Sequence, residues 1–181
     1  MTLQEGMRKV LELLDEYTSG GEQALDEDIA ARLPDLFDVA QKRLAQRAKI
    51  IKLQGVERQP GVTDYPLPVP RVGLYRLWRN GVPCRHYVLR GDSLVIPAGD
   101  NADWAVEYFA LPATIGPDTP PGTPLELSEA ACQCLPFLVA GMLLSSDLVQ
   151  DANIYLALYN QMVQELPESP PAAPAHVIRR I

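Results

Sequence analysis

Histidine is nearly missing from this sequence, and its scarcity narrows the chemistry at once. The only two are His86, in a run of strand character, and His176, near the end. A Ser-His-Asp or Cys-His centre would have to join His86 to Cys84, two positions earlier on the same strand face. The plainer reading makes both of them side chains of a sheet surface, and no enzymatic activity is expected. Cysteine is scarce too. Cys84, Cys132 and Cys134 are odd in number and too closely set for a disulfide framework. Cys132 and Cys134, two positions apart on a helix, point to different faces, which argues against a metal site and against a redox motif. They read as reduced core residues of a cytosolic protein, with neither cofactor nor metal expected.

Glycine-rich phosphate loops are lacking, since Gly20-Gly21 and Gly55 are isolated breakers. No cationic segment followed by an apolar one opens the chain, so no secretory signal is expected. Positive charge is in deficit: 16 basic against 23 acidic residues leave a net charge of −7. That balance disfavours a nucleic-acid binder working through phosphate neutralisation. Asp92, Asp100 and Asp103 crowd two turns. Their spacing does not match a calcium loop, and turns favour Asp for local hydrogen bonding alone.

What the chain does have is a long apolar stretch, Leu125 to Leu166. Ser128 is a plausible N-cap, with Glu129 in the first turn. Ala131, Cys132, Leu135, Phe137, Leu138, Val139, Met142, Leu143 and Leu144 then run nearly all round the cylinder. A helix apolar on every side is normally buried on every side. Pro136 predicts a kink or a later start. Ser145, Ser146 and Asp147 interrupt the run and can cap a second helix, on which Leu148, Ala152, Tyr155, Leu156, Tyr159, Met162, Val163 and Leu166 recur at three-and-four spacing. The pair reads as an antiparallel hairpin with its first member central. Its apolar run from Cys132 to Leu148 approaches membrane length, but Gln133, the flanking polar residues and the amphipathic partner favour a core helix.

Two helices are expected before it. Thr2 and Glu5 form a capping box, and Leu3, Met7, Val10, Leu11, Leu14 and Tyr17 make one stripe that Ser19, Gly20 and Gly21 stop. The next helix begins at Asp26, with stripe Ile29, Leu33, Leu36, Phe37, Ala40, Leu44, Ala48 and Ile51. Pro34 predicts a break within it. From Gly55 the pattern changes to short runs punctuated by Gly, Pro, Asn and Asp, the grammar of antiparallel strands. Tyr65-Pro66-Leu67-Pro68 can only be an edge or entry segment. Val72 to Trp78 and Val82 to Val88 flank Asn80-Gly81, a type I′ hairpin signal. Leu94 to Pro97 is a short strand, Asn101 a turn, and Trp104 to Leu111 a last strand with Trp104, Val106, Tyr108 and Ala110 on one face.

The fold class expected is α+β: N-terminal helices and a C-terminal helical hairpin forming a helical bundle, with a small antiparallel β insert of about five strands. Residues 1–54 hold the N-terminal helices and 55–113 the insert. Residues 114–166 hold a proline-rich connector and the hairpin, and 167–181 form a Pro/Ala-rich tail, expected to be disordered in the isolated chain.

Charge is segregated along the chain. Residues 39–58 hold six bases and one acid, and residues 113–166 hold six acids and no base. A ring in which a basic surface meets a neighbour's acidic one could use this for register. Lys42, Arg43, Arg47, Lys49 and Lys52 form a basic helix side, read first as a solvated face. Arg71, Arg76, Arg79, Arg85 and Arg90 interleave with Tyr75, Trp78 and Tyr87 in the strands. That superficially suggests a nucleic-acid platform, although arginine stems lying over aromatics on a polar sheet face are the simpler account.

The order of elements resembles the head-tail connector, neck or adaptor, proteins of tailed bacteriophages. The residues that carry the likeness are Asp28-Ile29, Arg32-Leu33-Pro34-Asp35-Leu36, Ala40-Gln41, Leu44-Ala45 and Lys49-Ile50, then Tyr65-Pro66-Leu67-Pro68 leading into strands. Val106-Glu107-Tyr108 with Leu111-Pro112 follows, and then Leu125-Glu126-Leu127, Ala130-Ala131, Leu135-Pro136, Val139-Ala140 and Leu143-Leu144, ending in Ile154-Tyr155 and Tyr159-Asn160. The resemblance implies a structural virion protein made in the host bacterial cytoplasm, forming a ring, often twelvefold, below the portal. Its partners would be its own copies, the portal protein and a downstream neck or tail protein. DNA would pass through without specific binding, and no membrane is involved. By that likeness the tail is a portal-docking arm anchored by Ile178, Arg179, Arg180 and Ile181. Two alternatives stand beside it: a β-rich module in which Trp78, Trp104, Tyr75 and Tyr87 bind a glycan or peptide, and another virion part such as a tail-completion or baseplate protein.

Overall fold

Thr2 and Glu5 close the first helix as the capping box requires: the Thr2 amide donates to Glu5 Oε2 at 2.8 Å, and the Glu5 amide donates to Thr2 Oγ1 at 3.2 Å. The computed structural model describes residues 1–14, 27–145, 148–167 and 176–177. Helix α1 spans Leu3–Leu13, α2 Glu27–Ala45, α3 Glu129–Leu144 and α4 Val149–Glu165. The expected contribution of Tyr17, the stop at Ser19–Gly21, the start at Asp26 and the cap at Ser146 and Asp147 lie outside the described residues. Among the described residues no helix is long and apolar enough to cross a membrane.

The chain divides into two units: Met1–Ile50 with Pro112–Ser169, and Ile51–Leu111 with Pro170–Ile181. The first is helical and drawn from both sides of the strand region. Its centre is α3, which begins at an N-cap as expected, the Ser128 hydroxyl accepting from the Ala131 amide at 3.3 Å. Leu135, Leu138, Val139 and Ala140 are fully buried because α3 packs on α1, α2 and α4. Gly141 lies against Ala152 and Leu156 of α4. Cys134, earlier on α3, feels Glu165, and Tyr159 feels Cys134. The two helices therefore run antiparallel.

Proline did not set the helix limits. Pro136 lies inside α3, which starts no later than its Ser128 cap allows. Pro34, where a break was expected, lies inside a continuous α2. One lost amide donor and a steric conflict are offset there by burial of Leu33, Phe37, Ala40 and Leu44 against the core. The C-terminal limit also differs from the expected one. The apolar period carries through Ala48 to Ile51, yet the chain turns after Ala45 and Ile50–Gly55 form strand β1.

The second unit holds the strands. After β1 come β2 (Asp64–Pro66), β3 (Arg71–Arg79), β4 (Val82–Cys84), β5 (His86–Arg90), β6 (Ser93–Val95) and β7 (Trp104–Ala110). Seven strands thus stand where about five were expected, because β1 was read as helix and the run Val82 to Val88 is divided. They form two sheets, one ordered β1-β7-β3-β4 and one in which β2, β6 and β5 are antiparallel neighbours. The Asn80-Gly81 hairpin forms as its composition demands: both residues have positive φ, 51° and 72°, and Arg79 pairs with Val82. At Arg85 the chain leaves the first sheet for the second. β2, with Tyr65 and Pro66, is an edge strand as expected. Leu77, Leu94, Ile96 and Val106 are the fully buried centre of this unit. Two residues of the tail, His176–Val177 (β8), run parallel to β5, with His86 opposite His176. Residues 168–175 and 178–181 of the tail, including Ile178, Arg179, Arg180 and Ile181, lie outside the described residues.

Candidate functional site

An open groove of about 1140 Å³ runs over the second unit. Leu53 and Gly55 of β1, Val56, Tyr65 and Pro66 of β2, Trp78 of β3 and Trp104 of β7 line it. Alternation along β7 sends Trp104 and Val106 to the buried side. Leu53, on the edge strand, is 65% exposed.

The polar atoms around the groove are mostly engaged with one another. Trp104 Nε1 donates to Asp100 Oδ2 at 3.3 Å, and Trp78 Nε1 donates to Glu107 Oε2 at 3.1 Å. Arg79 adds two hydrogen bonds to Asp100 and lies 5.9 Å from the Trp104 ring centre. Its guanidinium, helped by the Ala102 amide, holds the Asp100 carboxyl below the usual carboxylate range, and Asp100 in turn raises Arg79. Arg58 donates to the Tyr65 hydroxyl at 3.1 Å and to the carbonyls of Asp100 and Pro97. Burial pushes the Tyr65 phenol up, while the Gln59 backbone and Arg58 pull it down, and the net direction is down. These bonds tie the loop before β2 and the loop before β7 to Tyr65, Arg79 and Trp104 at one end of the groove. Glu57, Asp64 and Asp103 add acidic groups to the lining.

Of the four aromatic residues weighed as a binding set, only Trp78 and Trp104 line the groove. Tyr75 packs on Phe109, ring centres 5.1 Å apart, and Tyr87 is buried in the core of the unit. Cys84 and His86 do not assemble. Cys84 ends β4 and His86 begins β5, and the Cys84 thiol donates at 3.2 Å to the His86 backbone carbonyl, not to its imidazole. Cys132 and Cys134 are buried on α3, and burial raises both thiols, which keeps them protonated and poorly nucleophilic.

The three turn aspartates serve separate local partners. Asp92 pairs with Arg71 at 2.5 Å, Asp100 with Arg79, and the Asp103 amide donates to Asn80 Oδ1 at 2.8 Å. Among the described residues no cluster of His, Cys, Asp or Glu could hold a metal. Four of the five arginines of that run are likewise paired: besides Arg71 and Arg79, Arg90 pairs with Asp64 at 2.8 Å, and Arg76 stands 3.9 Å from Glu107 while stacking over Tyr75 and Trp78. Carboxylate pairing of Arg71, Arg76, Arg79 and Arg90 leaves little uncompensated charge for phosphates. The basic side of α2 is partly committed in the same way, since Lys42 bonds Asp38 at 2.7 Å and Thr114 at 3.0 Å. Sequence reasoning missed Arg58 and Tyr65, whose bonds span up to 42 residues and leave no local signature. No protein-family model matches the chain, and no curated protein matches it at a significant level.

Proposed function

We propose that this chain is a structural virion protein of a tailed phage or prophage, a head-tail connector whose copies form a ring below the portal and extend the DNA channel. The observation that carries the reading is the division of labour between the units. Helices from both sides of the strand region pack as one unit around α3, and residues 51–111 form a separate inserted unit. That layout agrees with the bundle-plus-insert order the resemblance implies. In this reading the helical bundle is the ring wall, and the insert projects toward a neighbouring layer. The net charge of −7 suits a conduit that repels DNA phosphates instead of holding them. Ile178, Arg179, Arg180 and Ile181 serve as anchors of an arm that orders on the portal. The role is assembly and carries no catalytic step.

A second reading draws on the groove. The open groove along the exposed edge strand β1, where Leu53 is 65% exposed, suits a module that binds an extended peptide or a glycan. Electron microscopy of the chain mixed with a purified portal protein from the same genome separates the two. A ring of density on the portal supports the connector. Portal particles without added density, together with a monomeric chain that binds glycans or peptides, refute it.

A further inference from the structure

Two exposed stripes of the helical unit are complementary in both charge and shape of pattern. On α4, Asp151, Ile154, Leu158, Gln161 and Glu165 follow one another at spacings of three and four, so they share one line along the helix. Ile154 is 59% and Leu158 41% exposed, and an acid closes the line at each end. On α2, Arg32, Leu36, Val39 and Arg43 repeat the same spacing with the opposite sign. Val39 is 51% exposed, Leu36 is partly covered, and an arginine closes each end. The acid-to-acid span is about 21 Å and the base-to-base span about 16 Å at 1.5 Å per residue, a difference that two arginine side chains can bridge. Asp35 borders the α2 stripe and Asp28 stands four positions before Arg32 on the same line, so two acids lie against it. Arg43 and Arg47 also act on Tyr159 of their own chain.

We propose that these stripes are the two halves of a seam between copies of this chain: α4 of one copy packs antiparallel on α2 of the next, so that Asp151 faces Arg43 and Glu165 faces Arg32. The partner is a second copy because each stripe supplies what the other lacks, an apolar pair between two arginines against an apolar pair between two acids. The wider charge bias points the same way, with six bases to one acid over residues 39–58 and six acids with no base over 113–166. Two different faces that meet make a head-to-tail contact, which closes into a ring or runs on as a filament. The inference rests on the connector reading and supplies its lateral interface.

The test is sedimentation of the full chain across a concentration series, at low and high salt, with Arg43→Glu, Asp151→Arg and the double exchange. Each single reversal should raise the concentration needed for self-association about fivefold, the size of one surface ion pair. The double exchange should return it to within about twofold of the unaltered chain, and added salt should weaken all of them except the single reversals. Failure of the exchange to rescue, or single reversals without effect, overturns the seam. A chain that stays monomeric throughout the series also overturns it. If Arg43→Glu still forms normal rings on the portal in micrographs, the seam falls and the connector reading survives. If neither form decorates the portal, the connector reading falls as well.

Discussion

Gly141 of α3 lies directly beneath Leu156 of α4. A Cβ added at Gly141 would come within 2.7 Å of Leu156 Cγ and 3.3 Å of the Ala152 carbonyl oxygen. The antiparallel pair is therefore as close as its backbones allow at this point, and the glycine is a packing requirement in a buried helix. Gly141→Ala would gain up to ~1 kcal/mol of helix propensity. Overpacking against Leu156 costs about 1–3 kcal/mol. Urea unfolding should show a net loss of up to about 2 kcal/mol, and Leu156→Ala in the same chain should recover part of it. A stabilised Gly141→Ala protein would refute this contact.

Pro34 tests the opposite balance. It lies in an unbroken α2, where it removes the donor that would meet the Ala30 carbonyl. Pro34→Ala restores that bond, and calorimetry should find the protein more stable by about 1–3 kcal/mol. A loss of stability would mean that the buried ring contributes more packing than the missing bond costs.

Asp100 carries the acid sensitivity of the strand unit. Its folded pKa is depressed, first by Arg79 and then by the Ala102 amide. The stability it confers is present above the unfolded carboxyl value, near 3.8, and is lost as pH falls through the lower folded value. Asp100→Asn should flatten the acid limb of a stability-against-pH curve below about pH 4 and change little of its slope near neutrality. An unchanged acid limb would remove Asp100 from this role.

Thiol titration reads the burial of the cysteines. Cys132 and Cys134 are buried and raised by that burial, and Cys84 is partly exposed. The native protein should react quickly at Cys84 alone, and at all three cysteines after denaturation. Rapid labelling of Cys132 in the native state would mean that α3 opens far more readily than its packing allows.

The tail bears on the proposed portal contact. Deleting residues 167–181 should abolish or strongly weaken portal binding in a pull-down while the thermal unfolding of the helical unit stays in place. Full binding by the truncated chain would remove Ile178, Arg179, Arg180 and Ile181 from the docking role.

Much of the helical unit was legible from residue order. The Thr2 and Glu5 box, the Ser128 cap and the all-round apolar run of α3 are local signals, and each forms as read. Asn80-Gly81 is another, because few other pairs tolerate two successive positive φ values. The groove was only half legible. Its two tryptophans stand out by composition, but strand register places them on opposite faces of the sheet, Trp78 with Ala105 and Glu107 and Trp104 with Arg79, and it also excludes Tyr75 and Tyr87 from the lining.

The sequence by itself determined where short-range chemistry has one answer: caps, the buried central helix and the tight hairpin. Only the tertiary structure decided that α2 continues through Pro34 and ends before Ile51. It also decided that Val82 to Val88 is divided between two sheets. In those places local preference is worth a few kcal/mol or less, and burial of several side chains at once outweighs it. The same holds for Arg58, whose partners come from distant loops, so no stretch of sequence could reveal them.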